Sequence, residues 1–255
     1  MREHPCLYVL TGCTAGGKTA AALEWAGLQQ AEIISCDSLL FYRGMDIGTA
    51  KPTPDERTRV RHHLIDILDV TQRMDVRAYV ERAQTALGEI TARGKRALVT
   101  GGSGFYLRSF FAPVADELPV DPQVRGEIEQ DLATHGLDAL VRRLRAMNPA
   151  GLGSLDLNNP RRVVRALERC IVSGSTLQHL QDAFRAQPAP FADWDVRLVE
   201  IAREPVDVRT RIAARVQAML AAGLIDEVIA LRRAGLEQNP SAARAIGYRE
   251  TLAWL

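Results

Sequence analysis

The run Gly12-Cys13-Thr14-Ala15-Gly16-Gly17-Lys18-Thr19 has the spacing G-x-x-x-x-G-K-[ST], which suits the grip of linked phosphates. Glycines let successive backbone N–H groups turn inward around phosphate oxygens, while Lys18 adds a point charge and Thr19 a hydroxyl for Mg2+. A helix opening at Lys18 also aims its positive end at the anion. The spacing leaves the ligand open between a nucleoside triphosphate and a pyrophosphate held as leaving group. P-loop ATPases hold their metal with an acid at the end of a later strand. The best later strand here, Arg96–Thr100 (RALVT), runs into Thr100 and Gly101 without one. That disfavours a motor or switch and leaves small phosphotransferases and enzymes that expel pyrophosphate.

Asp37 is the second chemically able residue. It directly follows a strand-like run, Glu32–Cys36, and the carboxyl ends of parallel strands share the edge on which a phosphate loop lies. It can therefore serve as a base or assist a metal beside the phosphates. Asp-Ser is also a common turn opener, and the spacing alone does not choose between these roles. Further along, Arg162, Arg165 and Arg169 share one helix face, opposite an apolar stripe of Val163, Val164, Leu167 and Ile171. Seven arginines stand against two acids between Arg142 and Arg169. Such a face is either simply solvated or made for phosphates. Arg211 and Arg215, on the helix after Pro205, are candidates to complete a diphosphate clamp or to lie on a solvated face.

The elements around these residues alternate strand-like and helical patterns, as in a parallel sheet covered by helices. Cys6–Thr11 reads as a strand, 18–29 as a helix, Glu32–Cys36 as a strand and His63–Ile67 as a weaker one. Val76–Arg93 has helical periodicity ending at Gly94, and Arg96–Thr100 is a strand. From about Glu117 the strand signals stop. Pro119, Pro122, Pro149 and Pro160 punctuate helical segments at 122–134, 137–147 and 160–173, the last with Asn159 as cap and Pro160 at its first position. Val196–Ala202 reads as a strand again, followed by helices at 205–222 and 224–234. The fold class is α/β: a P-loop core at 1–116 and 191–255, interrupted by an all-helical insertion at 117–190.

Composition sets the remaining bounds. With 255 residues, 47% hydrophobic and 25% charged, the chain is ordinary for a globular enzyme, and its net charge of +1 argues against a protein that coats nucleic acid. The four cysteines, Cys6, Cys13, Cys36 and Cys170, lack zinc-site spacing and fit a reducing, cytoplasmic setting. No apolar run approaches the roughly 20 residues that span a bilayer, and the polar N-terminus is unlike a signal peptide.

The order GCTAGGKT, DSLL, RGMDIGTAKP, HHLIDI, GGSGFYL, PRRVVRALE and AIGYRE resembles the tRNA dimethylallyltransferases across nearly the whole chain. RGMDIGTAKP is far more specific than the phosphate loop. The resemblance implies transfer of a dimethylallyl group from dimethylallyl diphosphate to N6 of the adenosine 3′ of the anticodon, in tRNAs reading codons that begin with U. It implies that Gly12–Thr19 and Arg211 hold the diphosphate, that Asp37 is the general base, and that Thr19 faces Mg2+. It places Asp37, Ser38, Leu39, Leu40, Ser103, Arg125, Arg161, Arg162, Val163, Val164 and Arg165 against tRNA, with the insertion meeting the anticodon stem-loop of a tRNA bound by a monomer. The sequence departs from the family at Cys13, where Pro is usual, at Gly16, where Ser is usual, and at Leu40 in place of Gln. It also stops at Leu255, where relatives usually continue. Rival readings are an adenylate isopentenyltransferase, an ATP-using small-molecule kinase, and a non-catalytic RNA-binding module; the arginine-rich insertion opposes the first, and intact Lys18, Thr19 and Asp37 oppose the last.

Overall fold

A computed structural model describes residues 4–114, 118 and 121–255; the expected boundary at Glu117, and Pro119, lie outside the described residues. The chain divides into two compact units, one of Met1–Val114 with Ala189–Leu255 and one of Ala115–Pro188.

The first unit is built on a five-stranded parallel sheet. Its strands are β1 (Cys6–Gly12), β2 (Ala31–Ser35), β3 (His62–His63), β4 (Arg96–Thr100) and β5 (Asp195–Ile201), in the order β3-β2-β4-β1-β5. The register sets Leu10 beside Thr100, Ser35 beside Thr100 and Gly12 beside Ile201. The carboxyl ends of β1, β2, β4 and β5 therefore share one edge, and the segments that leave them carry the phosphate loop, Asp37, Gly101 and Arg203.

Helix α1 (Lys18–Gln29) connects β1 to β2, with β4 lying between those two strands in the sheet. Its buried Ala22, Leu23 and Ala26 recur at helical spacing and pack with Leu10, Ile33 and Leu98 of the sheet. A fully buried aliphatic such as Ile33 contributes about 1.5–3 kcal/mol relative to exposure. All five residues of β2 are buried, as suits an internal parallel strand. Helix α2 (Pro54–Arg59) opens on a capping box, with Thr53 accepting from the Glu56 amide and Glu56 accepting from the Thr53 amide. Helix α3 (Val76–Ala92) is capped by Asp75 and buries Tyr79, Ala83, Ala86, Leu87 and Ile90. A short α4 (Gly104–Leu107) follows β4.

The expected strand at His63–Ile67 is corrected. Only His62 and His63 pair with β2, because Leu64 and Asp66 take left-handed φ values of 60° and 56° that break an extended run.

The second unit contains α5 (Pro122–Met147), α6 (Pro160–Ser173) and α7 (Leu177–Arg185). Gly136, at φ 76°, interrupts α5 where the sequence suggests two helices. Ile128, Leu140, Leu144, Val163, Leu167, Cys170 and Leu177 form its core. The buried Asn148 amide donates to the Leu144 carbonyl and accepts from the Leu177 amide, so both ends of its side chain are satisfied. After β5 the first unit closes with α8 (Pro205–Ala221), α9 (Leu224–Arg233), α10 (Pro240–Ala243) and α11 (Tyr248–Trp254). Helices α7, α10 and α11 are short and were not individually expected.

Candidate active site

The turn between β1 and α1 is the phosphate loop. Gly12, at φ 145°, leaves β1 so close to β5 that a Cβ there would lie 2.5 Å from the Ile201 carbonyl oxygen, so only glycine fits. Lys18 curls back and donates to the carbonyls of Gly12 at 2.9 Å and Cys13 at 2.8 Å. Two arginines reach the loop from beyond β5. Arg203 donates through Nε to the Gly16 carbonyl at 2.7 Å, and Arg211 through Nε to the Ala15 carbonyl at 2.8 Å. The loop's carbonyls are thus held by cations.

A cleft of about 600 Å³ opens over this loop. Residues 14–19, Asp37, Leu40, Arg211 and Arg215 all line it, so the two chemical features found separately in the sequence meet here. Ile33, Ala50, Pro52, Ile65 and Ala214 give it apolar surface beside these charges. Arg215 also donates to the Thr49 carbonyl at 3.1 Å. Burial lowers the Lys18 pKa from its ordinary value, against the opposing pull of the Asp37 carboxylate.

Asp37 accepts a hydrogen bond from the Leu39 amide through Oδ1 at 3.0 Å, so it does open a turn. It also lines the cleft; the two roles coexist. Its neighbour Cys36 is no candidate nucleophile, because burial pushes its thiol up to about 12 and keeps it protonated. Ser38 and Leu39 follow Asp37 half-buried, and Ser103 precedes α4 with its amide donating to the Cys36 carbonyl at 3.4 Å. These three are not among the residues lining the cleft.

The remaining RNA candidates lie on the second unit. Arg161, Arg162 and Arg165 line a hollow on α6 together with Asn159, Arg169 and Gln181. Arg161 and Arg162 are exposed, and Arg165 pairs with the buried Glu168 at 2.8 Å. Arg125 is exposed on α5 and paired with Glu129 at 3.1 Å. Val163 and Val164, between Arg162 and Arg165 on α6, have their side chains buried in the helical core.

No group of three or more His, Cys, Asp or Glu side chains stands ready for a metal among the described residues. Thr19 and Asp37 nevertheless border the same cleft, which suits a hard cation that takes few protein oxygens and fills its shell from phosphate and water. Arg203 was missed in the sequence. Its signal was positional: a cation just past a strand that could neighbour the phosphate-loop strand.

A family model described as IPP transferase matches residues 40–255. The chain belongs to that family. A tRNA dimethylallyltransferase of Opitutus terrae is 62% identical over 250 residues, covering 98% of this chain and 80% of that one. The crystal structure of the full-length tRNA isopentenylpyrophosphate transferase of Bacillus halodurans is 32% identical, with a TM-score of 0.65 over 98% of this chain and 77% of its own. A eukaryotic dimethylallyltransferase acting on tRNA, 23% identical, shares the fold with a TM-score of 0.84 over 98% of this chain and 63% of its own. Among the described residues no helix is long and apolar enough to cross a membrane.

Proposed function

We infer that this IPP transferase family member moves a dimethylallyl group from dimethylallyl diphosphate to N6 of the adenosine 3′ of the anticodon, in tRNAs reading codons that begin with U. Relatives 62% and 43% identical carry the name tRNA dimethylallyltransferase. The observation that carries the reading is the meeting of Asp37 with Lys18 and its loop in one cleft that also offers apolar surface.

An exocyclic adenine amine is a poor nucleophile because its lone pair is delocalised into the ring. In the transfer, N6 bonds to C1 of the dimethylallyl group while the C1–O bond breaks and its electron pair departs with the diphosphate. Asp37 accepts the N6 proton as general base. Lys18, the loop amides, Arg211 and Arg215 meet the charge that builds on the leaving group. To do so, Lys18 exchanges its carbonyl partners, Gly12 and Cys13, for phosphate oxygens. Thr19 would hold Mg2+, which when bound neutralises diphosphate charge. Arg161, Arg162 and Arg165 would meet tRNA backbone phosphates, with Ser38, Leu39, Leu40, Ser103 and Arg125 as further contacts. A single-stranded loop can splay out its target base at modest cost, which lets adenine enter a cleft. We read the protein as acting on tRNA as a monomer.

Incubation with labelled dimethylallyl diphosphate and either tRNA or AMP tests the reading. Label is expected in tRNA alone. Transfer to AMP instead would make the chain an adenylate isopentenyltransferase, and ATP turnover without RNA would make it a kinase.

A further inference from the structure

The segment Asp46–Lys51 forms part of the cleft wall through Thr49 and Ala50, and it has no regular secondary structure to hold it. One carboxylate does that instead. Glu227 of α9 accepts from the Asp46 amide at 2.9 Å and the Ile47 amide at 2.6 Å through Oε2, and from the Gly48 amide at 3.1 Å through Oε1. The hydroxyl of Tyr248 donates to the same Oε1 at 2.6 Å. Tyr248 is fully buried, and burial with the adjacent Glu227 carboxylate raises its pKa, so the hydroxyl remains a donor. Its ring presses so close to Gly48 that a Cβ there would lie 2.6 Å from ring carbons.

The far end of the segment is fixed as well. The Lys51 ammonium, on a side chain only 4% exposed, donates to the Tyr42 carbonyl and pairs with Asp46 and Asp66. Between these anchors Ala50 is kept at φ 49°, a conformation that L-residues avoid and that persists only where the surroundings over-determine it. The cleft-facing surface is uncharged as a result. Lys51 is turned away, and the Thr49 hydroxyl donates to the Met45 carbonyl at 2.6 Å.

We propose that Glu227 and Tyr248 are positioning residues: a carboxylate–phenol latch that holds Asp46–Lys51 as the uncharged wall against which the non-phosphate part of the substrates is aligned for transfer. This rests on the reading of the cleft as the prenyl-transfer site. Neither residue lines the cleft, so each acts through the segment. A diphosphate is gripped mainly by Lys18, the loop amides and Arg211, none of which bonds to the wall; Arg215 alone reaches it, through the Thr49 carbonyl. The prenyl chain and the adenine carry no charge to anchor them, and misplacement by a fraction of an ångström slows transfer.

The test uses Glu227→Gln, Tyr248→Phe and the double variant of the full chain. Glutamine offers one oxygen where the carboxylate offers two, and points N–H donors at backbone N–H groups; Phe keeps the ring on Gly48 and removes only the hydroxyl. Each single variant is expected to lose at least about tenfold in kcat/KM for tRNA prenylation, while the Kd for inorganic pyrophosphate with Mg2+ stays within about twofold of wild type. Because Tyr248 acts through Glu227, the double variant should be little worse than Glu227→Gln, the non-additivity expected of groups in one network. Should Glu227→Gln fail to fold, the Tyr248→Phe kinetics and pyrophosphate affinity decide. Wild-type kinetics in the variants, strictly additive losses, or a parallel loss of pyrophosphate affinity would each overturn the latch. A wild-type chain that prenylates no tRNA would remove the reading of the cleft, and the latch's role with it.

Discussion

The Arg203 guanidinium donates its Nε proton to the Gly16 carbonyl at 2.7 Å, joining residues 187 positions apart across the β1–β5 edge. A second nitrogen pairs with Asp207 at 2.9 Å, which fixes the plane of the group. In a trans peptide the carbonyl and the following N–H point opposite ways, so holding the Gly16 carbonyl outward turns the Gly17 N–H away from Arg203. Arg203→Ala should therefore loosen the cradle for the leaving group. A hydrogen bond involving a charged partner contributes about 1.5–3 kcal/mol, so pyrophosphate affinity should fall by about tenfold or more, with tRNA affinity unchanged. Calorimetric titration with pyrophosphate and Mg2+ checks this. Unchanged affinity would leave Arg203 a surface residue.

No local sequence signal marks that hydrogen bond, because its partners are 187 positions apart. The phosphate loop, α1, β4 and the division between helical segments at 122–134 and 137–147 were legible because each is written in contiguous residues: a fixed spacing or an apolar period. Asp37 was legible as the residue closing a buried strand. The segment between Tyr42 and Val70 was not, since its shape is imposed from outside. Glu227 binds the Asp46 amide from 181 residues away, and left-handed Ala50, Leu64 and Asp66 are residue types that give no local signal for that conformation. The burial of Val163 and Val164 was hidden for a different reason. The PRRVVR motif carries both surface arginines and core valines, and only helical phase separates them.

Charge removal at both Arg162 and Arg165 should weaken tRNA binding while leaving pyrophosphate affinity intact. Each arginine that neutralises a phosphate should, when replaced, reduce the slope of log K against log salt by about 0.7–0.9. Arg165 is also the partner of buried Glu168 at 2.8 Å, so Arg165→Ala should lower the melting temperature where Arg162→Ala does not. Filter binding across a salt series separates the two effects. An unaltered slope in the double variant would return both arginines to a solvated face.

Acid should attack the sheet through Glu32. This carboxylate is buried in β2, and it accepts from His63 Nε2 at 2.7 Å and from Arg93 at 2.7 and 3.1 Å. Burial pushes its pKa up, but the hydrogen bonds from Arg93 and His63 outweigh this and hold it at about 2, below its ordinary 4.5. A depressed folded-state pKa gives stability that is fully present above the unfolded value and is lost as pH falls through the folded one. Urea unfolding free energy should therefore decline between about pH 4.5 and pH 2. Glu32→Gln should be less stable at neutral pH and should flatten that decline, and a decline of wild-type steepness in the variant would assign the acid sensitivity elsewhere.

Asp37 carries the remaining test, because its two oxygens divide between structure and chemistry. Oδ1 is engaged by the Leu39 amide at 3.0 Å, while the side chain still borders the cleft opposite the loop that holds Lys18. Asp37→Asn keeps an oxygen for the Leu39 amide and so keeps the turn, but it cannot accept the amine proton. Both substrates should bind nearly as in wild type, and turnover should fall by about 10²–10⁴-fold. The loss should appear in the chemical step of a single-turnover experiment, since it removes an interaction made in the transition state. A carboxylate serving only the metal predicts another pattern, in which raising Mg2+ restores the rate because the deficit lies in affinity for the ion. A carboxylate serving only the turn predicts a lower melting temperature with a near-normal rate at low temperature. A slow Asp37→Asn enzyme that excess Mg2+ rescues would therefore take the proton away from Asp37 and assign it to another acceptor.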